Sequence, residues 1–490
     1  MAVLEARGVF WWHDEPVPDV LLAPDAHVFG ALKIDEVGRI SLELDGYLAN
    51  EHGPMAAIVT RQERHPEKRC IQGLLKDTSQ RVLLLNLIRN GGQFNTNGIS
   101  YERFSAMDCL VGNSAFLAGE AVPKIRELEV QLDGFEDWLR LGSIETVKRN
   151  SALSAKYKKP KDAVYAQNDG RLSINYHIAG EPFPGKHRTS VLSLKESASL
   201  VWKPKRPSLL EDLKTKYSLL EDLFILLTDS DYCLEWPIVS LNKDRHCKWY
   251  FLRHGSKQSA IAPKWHECWT NFVQLRSEFG SIWSNWQKKH GMFGAGFYLY
   301  LGTRRGLKLY EEHRFVNLIW GIEAFHRTKH SATISDRLAK KIERVIGQVS
   351  APKDQKWLRE RLSHAHEPAL AQRMFDAFKT LPIGIEEGRL REFCNICAKL
   401  RNDISHFGRP QNVASSASFI DDLDKRSTAL ATLYHTLLLH EIGVDAKILR
   451  HWIYESFRSF PIKHSFVEVG LLDKSVLQPL NPKQIGEGRK

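Results

Sequence analysis

Cysteine is scarce in this chain, with seven among 490 residues. An odd, scattered set argues against a disulfide framework and for a reducing compartment. No apolar run approaches the roughly 18–20 residues a membrane-spanning helix needs, so no membrane partner is expected. The opening MAVLEARGVFWWHDEPVPDV has no basic stretch followed by an apolar core, and a secretory signal is not expected either. There is no phosphate-binding G-x-x-x-x-G-K-[ST] loop, no dinucleotide G-x-G-x-x-G fingerprint, no G-x-S-x-G elbow and no H-E-x-x-H pair. Those absences remove the common ATPase, dehydrogenase, hydrolase and zinc-protease readings. What is present is a globular composition, 43% hydrophobic and 10% aromatic, long enough for two to four domains. The expectation is a soluble, multidomain, cytoplasmic protein that needs no cofactor.

Charge is unevenly spread. The formal net charge is +11, yet residues 1–150 carry −6, residues 151–250 carry +4, residues 251–400 carry +11 and residues 401–490 carry +2. A localised cationic surface concentrates polyanions, of which nucleic acid is the commonest. Ordinary Lys/Arg-rich helix faces explain the same count equally well.

Pattern divides the chain into an α+β architecture. Residues 1–205 read as a β-rich domain, sandwich-like or barrel-like. Short alternating runs such as His27–Ile34, Ile40–Leu48, Ala56–Thr60, Arg81–Ile88, Arg126–Leu132 and Leu172–Ile178 are closed by turn residues, including Asn90-Gly91-Gly92, Asn97-Gly98 and Asn168-Asp169-Gly170. A short helix is expected near Phe135–Leu141. Trp202-Lys-Pro-Lys-Arg-Pro207 marks a boundary. Residues 206–294 read as mostly helical. They hold the hexapeptide Ser-Leu-Leu-Glu-Asp-Leu twice, from Ser208 and from Ser218, a short β excursion at Lys248–Arg253, and one aromatic helix through Trp265, Trp269, Phe272, Phe279, Trp283 and Trp286. That aromatic stripe suits core packing better than base stacking. Residues 295–460 form a helical bundle, with apolar residues at three/four spacing in Phe315, Leu318, Ile322 and Phe325, in Leu338, Ile342 and Ile346, and in Leu390, Phe393, Cys397, Leu400 and Ile404. A long helix from Ser418 ends at Gly443, and residues 461–490 are a tail without periodicity.

The best-defined bundle helix ends in Arg401-Asn-Asp-Ile-Ser-His406. Asn402 and His406 lie about 40° apart on an ideal helix, whereas Arg401 lies about 140° from His406, so bringing the two together requires either a curled arginine side chain or a distorted helix end. Gly408 and Pro410 are suited to that. Guanidinium binds phosphate oxygens through a planar fork and imidazole exchanges protons near neutral pH, a combination suited to phosphodiester chemistry. Histidine and arginine also cap helix carbonyls, and Arg359 with His364 and Arg361 with His366 repeat the same spacing. Cys394-x-x-Cys397 lacks a second matching pair, and Cys397 falls on the apolar stripe, so a core role is expected and no metal. Arg304, Arg305, Lys340, Lys341, His364 and His366 are candidate nucleic-acid contacts.

This helix, the earlier Phe315-Val-Asn-Leu-Ile-Trp-Gly-Ile-Glu323-Ala-Phe-His-Arg327 helix and the long helix after it together resemble the HEPN domain, with its R-x4-6-H motif. A β-rich half ahead of such a bundle is similar to the ApeA-type proteins of abortive-infection defence against phage. The resemblance implies a metal-independent endoribonuclease toxin, homodimeric, cutting host RNA, with tRNA as the candidate substrate, in response to a phage trigger. It also implies the roles. His406 would move the proton, Arg401 neutralise phosphate charge, Asn402 position the phosphate or the imidazole, and Glu323 hold Arg401. The β-domain would regulate or sense. The rival readings are a non-catalytic nucleic-acid or protein-binding bundle, with the β-domain carrying the function, and a DNA-binding regulator, for which no helix-turn-helix pattern exists.

Overall fold

Alternation of apolar and polar residues builds the first half of the protein: Ile40, Leu42 and Leu44 are buried while Ser41 and Glu43 face solvent. The structure, a computed structural model, describes residues 2–477 except 20, 49–69, 94, 96–97, 99, 119–122, 141, 151, 181–192, 231–232, 254–263, 306, 331–335, 363–366 and 408–415. The chain divides into two units, Met1–Glu221 with Tyr232–Ala262, and Asp222–Asp231 with Pro263–Lys490.

In the first unit, β1 (Ala2–Trp12), β2 (Val28–Asp35), β3 (Ile40–Leu44), β4 (Ile71–Leu75), β5 (Arg81–Gln93) and β6 (Tyr101–Gly112) pair antiparallel in the order β6-β3-β2-β1-β4-β5. Because β5 also pairs with β6, the ring closes into a barrel, which leaves no edge among these strands. Phe10, Leu32, Ile34, Leu42, Ile71, Val82 and Leu84 belong to its core. The second half of β6 pairs with β14 (His246–Phe251), and the sheet runs on through β13 (Ile238–Ser240), β7 (Glu127–Val130), β12 (Leu194–Pro204), β11 (Gly170–Gly180) and β10 (Ala163–Ala166). A separate hairpin pairs β8 (Ile144–Arg149) with β9 (Ala152–Tyr157), and α1 spans Phe135–Leu139.

Two expectations for this region are corrected. Asn90-Gly91-Gly92 is no turn: β5 runs through it, and the glycines accommodate a shift of register between Arg89 and Gly91. The boundary does not fall at residue 205, because β13 and β14 return to the first unit to join the sheet to the barrel. Pro204 is tolerated as the last residue of β12, at the strand's end. Of the one or two helices that the repeated hexapeptide suggests, the structure has one, α2 (Leu210–Thr228), with residues on both sides of the unit division after Glu221. The expected strand at Ala56–Thr60 lies outside the described residues.

The second unit is helical. The expected aromatic helix is interrupted: Trp265 and Trp269 precede α3 (Phe272–Leu275), which Asn271 and Gln274 start with a capping box, and α4 (Phe279–Lys289) follows. Trp269, Phe272, Phe279, Trp283 and Trp286 are buried, as core packing requires. Next come α5 (Gly294–Arg304), α6 (Glu311–Lys329), α7 (Asp336–Gly347), α8 (Pro352–Leu362), α9 (Leu370–Phe378), α10 (Glu387–Phe407) and α11 (Ser416–Glu441). The stripe Phe315, Leu318, Ile322 and Phe325 of α6 is buried. A Cβ on Gly296 of α5 would stand 2.0 Å from the Cα of Gly321 of α6, so the two helices cross at bare backbone. Gly443, at φ +97°, follows α11 in the left-handed conformation of a helix stop. After it come α12 (Ala446–Tyr454), still within the expected bundle, and α13 (Ser459–Glu468), which extends into the region read as a tail and buries Phe466. Among the described residues no helix is long and apolar enough to cross a membrane.

Candidate functional site

The buried face of α10 carries Leu390, Phe393 and Cys397, and Arg401 comes one turn after Cys397. Helical spacing therefore turns the Arg401 side chain inward, where it is 23% exposed and its Nη2 lies 3.6 Å from Glu323 Oε2 on α6. Arg401 Nη1 donates to Asn402 Oδ1 at 3.2 Å. Its Nε is buried without a hydrogen-bond partner among the described residues.

Glu323 is held more closely by a residue the sequence reading passed over. Arg373, on α9, donates from Nη1 to Glu323 Oε1 at 2.6 Å, from Nη2 to Glu367 Oε2 at 2.6 Å and from Nε to the Pro368 carbonyl at 2.7 Å. Its side chain is 9% exposed, so it is a fixed, desolvated cation bridging two carboxylates. Arg327 adds contacts to Glu323 at 3.3 Å and to Glu367 at 2.9 Å. Three guanidinium groups thus share two carboxylates, and the cluster holds one positive charge in excess. The Arg373 and Glu323 contact consumes Oε1 and leaves Oε2 toward Arg401. The available signal for Arg373 was its position in the apolar face of α9, beside Met374 and one turn before Ala377, both buried. An arginine in such a face implies a buried carboxylate partner. His326, buried one turn beyond Glu323, is held below the ordinary histidine range by burial and then by His330, whose ring lies 4.5 Å away.

His406 is exposed in the last turn of α10. Of the two ways to bring them together, a distorted helix end does not occur within the described residues: α10 stays helical through Phe407, so Arg401 and His406 of one chain lie about 140° apart around its axis. Asn402 is exposed beside Arg401.

The other candidates scatter. Arg304 pairs with Asp229 at 3.2 Å and donates to the Tyr300 hydroxyl at 3.1 Å, while Arg305 pairs with Asp222 at 2.6 Å. Both are committed to internal carboxylates and are poorly placed to meet a phosphate. Lys340 and Lys341 are exposed on α7. His364 and His366 lie outside the described residues. Further cations were not among the candidate contacts: α8 carries Lys353, Lys356, Arg359 and Arg361, buries no residue, and leaves Trp357 58% exposed. Cys394 and Cys397 are buried free thiols, and burial pushes the Cys394 thiol up to about 12. Among the described residues no group of three His, Cys, Asp or Glu is arranged to hold a metal ion.

Comparison with known proteins gives two family matches. The model for ApeA N-terminal domain 1 matches residues 5–286 and the model for the Apea-like HEPN domain matches residues 316–448. No curated protein and no solved structure matches the chain.

Proposed function

The chain belongs to the ApeA family, antiphage HEPN effectors of the nuclease kind, and from that premise we propose that it is a metal-independent endoribonuclease whose site is built on Arg401, Asn402, His406 and Glu323. The RNA 2′-hydroxyl attacks the adjacent phosphorus, leaving a 2′,3′-cyclic phosphate and a 5′-hydroxyl. His406 moves the proton between the attacking and leaving oxygens. Arg401 neutralises charge building on the phosphate oxygens, and Asn402 fixes that guanidinium. Glu323 orients Arg401 while Arg373 occupies its other oxygen.

The observation that carries this reading is the cluster of three guanidinium groups on two carboxylates, from which Arg401 remains the least tightly paired cation, 3.6 Å from Glu323. A cation that is oriented but not neutralised is what a scissile phosphate requires. The regular end of α10 supports a homodimer. One helix turns Arg401 and His406 to different sides, and a facing second copy completes the set. For the RNA strand, α7 and α8 are favoured. Each holds four cations against two acids, and exposed Trp357 offers a surface for a base. Host tRNA is the proposed substrate, in a cytoplasmic setting.

The test is cleavage of RNA by purified protein in excess chelator, beside the same strand with a 2′-deoxy nucleotide at the cut position. The wild type is expected to cut only the all-RNA strand, and Arg401→Ala and His406→Ala to cut it at least about a hundredfold more slowly. Chelator-resistant cleavage of DNA, or an undiminished His406→Ala rate, contradicts the mechanism.

A further inference from the structure

At the end of the extended sheet in the first unit lies a cleft of about 780 Å³ lined by residues from three distant segments: Arg126 and Glu127, the strap Lys203–Pro207, and the hairpin from Ser240 to His246. It owes nothing to the helical unit or to the Arg401 cluster, and its size is that of a small-ligand pocket.

The floor is a row of paired residues. Glu127 of β7 stands opposite Ser240 of β13, and Ser240 opposite His246 of β14. The Ser240 hydroxyl meets His246 Nδ1 at 2.7 Å and the Lys243 carbonyl meets Nε2 at 3.1 Å, so the ring is locked from both ends. The hairpin tip is pinned as well: Asn242 Oδ1 accepts from the Asp244 and Arg245 amides at 3.0 and 2.9 Å, which fixes the backbone that carries Lys243. On the other wall, prolines 204 and 207 stiffen the strap and the Lys205 amide donates to the Asp169 carbonyl at 3.0 Å. Lys203 is 3.7 Å from Glu127. The remaining cations of the cleft, Arg126, Lys205 and Lys243, make no side-chain ion pair among the described residues. Three uncompensated cations are thus held on pinned backbone around one concavity.

We propose that this cleft binds a compact polyphosphate-bearing ligand, with Arg126, Lys205 and Lys243 on the phosphates and with Glu127 and Asp244 left to accept from hydroxyl or amine groups. A nucleic-acid strand fits less well, because the carboxylates of Glu127 and Asp244 interrupt the cations along any path through the cleft and would face successive phosphates.

Titration calorimetry on the full-length protein tests this with ATP, inorganic triphosphate and a short single-stranded RNA as probes. The proposal expects ATP or triphosphate to bind with a Kd of about 0.1 mM or tighter at low salt, and Lys205→Glu with Lys243→Glu to weaken that binding at least about tenfold. Both substitutions are at exposed positions, and a melting temperature close to wild type certifies the fold. ATP binding more tightly than triphosphate identifies a nucleotide as the source of the phosphates, and equal binding identifies the phosphates alone. No binding of either below about 5 mM, binding that the double variant leaves unchanged, or binding of the RNA alone overturns the proposal.

Discussion

At the scale of single residues, the account turns on how Glu323 is divided between Arg373 and Arg401. Replacing Arg373 with Met keeps the apolar stem but leaves Glu323 and Glu367 short of a buried cation, and Glu323 is then shared between Arg401 and Arg327 alone. The expected result is a loss of about 3 kcal/mol in stability and at least about a tenfold fall in single-turnover RNA cleavage, with substrate affinity changed less. Arg373→Lys keeps the charge but not the fork that bridges two carboxylates, so an intermediate rate is expected. A folded Arg373→Met protein that cleaves at the wild-type rate removes Arg373 from the site. Arg401 and His406 stand out in the sequence as candidates because they end the clearest apolar stripe and break its pattern with polar groups. Arg373 does not, because pattern reading treats a charge in an apolar face as an irregularity and cannot supply the carboxylates that meet it from other segments, Glu323 and Glu367. Arg304 and Arg305 failed for the converse reason. Adjacent arginines read as surface, yet Asp229 and Asp222 draw them inward.

Among elements, periodicity was reliable wherever one face alone is buried, as in α6 and α10, and unreliable where aromatic residues run on across a break. The aromatic segment before residue 290 became two helices because Asn271 caps the start of one, a local signal that a stripe of tryptophans conceals. The crossing of α5 and α6 is testable directly. Gly296→Ala would force a methyl onto the Gly321 backbone, and thermal denaturation is expected to show a loss of about 2–3 kcal/mol, whereas a neutral result contradicts the close approach. A second test concerns α11. His435 is wholly buried, its Nδ1 2.6 Å from the Tyr300 hydroxyl and its Nε2 2.8 Å from the Leu226 carbonyl, and burial, the largest cause, pushes it down to about 4. Unfolding restores an ordinary histidine near 6.5, so between about 6.5 and 4 the unfolded chain binds the extra proton and stability falls as pH drops, by an order of 3 kcal/mol over that window. His326 and His440, also held below their ordinary values chiefly by burial, act in the same direction. Melting curves from pH 7 to pH 4.5 are expected to show this decline and His435→Gln to flatten part of it. Identical slopes in the two proteins contradict the assignment.

For the whole molecule, the β-then-α order was legible from composition and alternation, and a barrel was legible as one of two β architectures, but which six strands close it was not. Closure depends on β5 meeting β6 while β6 also serves β3 and β14, a set of pairings between segments up to about 140 residues apart that no local pattern encodes. The same distance explains the misplaced boundary, since β13 and β14 rejoin the sheet after α2 has begun. The basic excess of residues 251–400 is partly internal, in Arg304, Arg305 and Arg373, and partly displayed, on α7 and α8. The central claim is that Arg401 and His406 cut RNA by attack of the 2′-hydroxyl, and sequencing of RNA 5′-hydroxyl ends from cells expressing the wild type or His406→Ala tests it most directly. The account predicts discrete new 5′-hydroxyl ends, concentrated in tRNA, with growth arrest in the wild type alone. The same ends in both strains, or arrest by the wild type with no new 5′-hydroxyl ends, would contradict it.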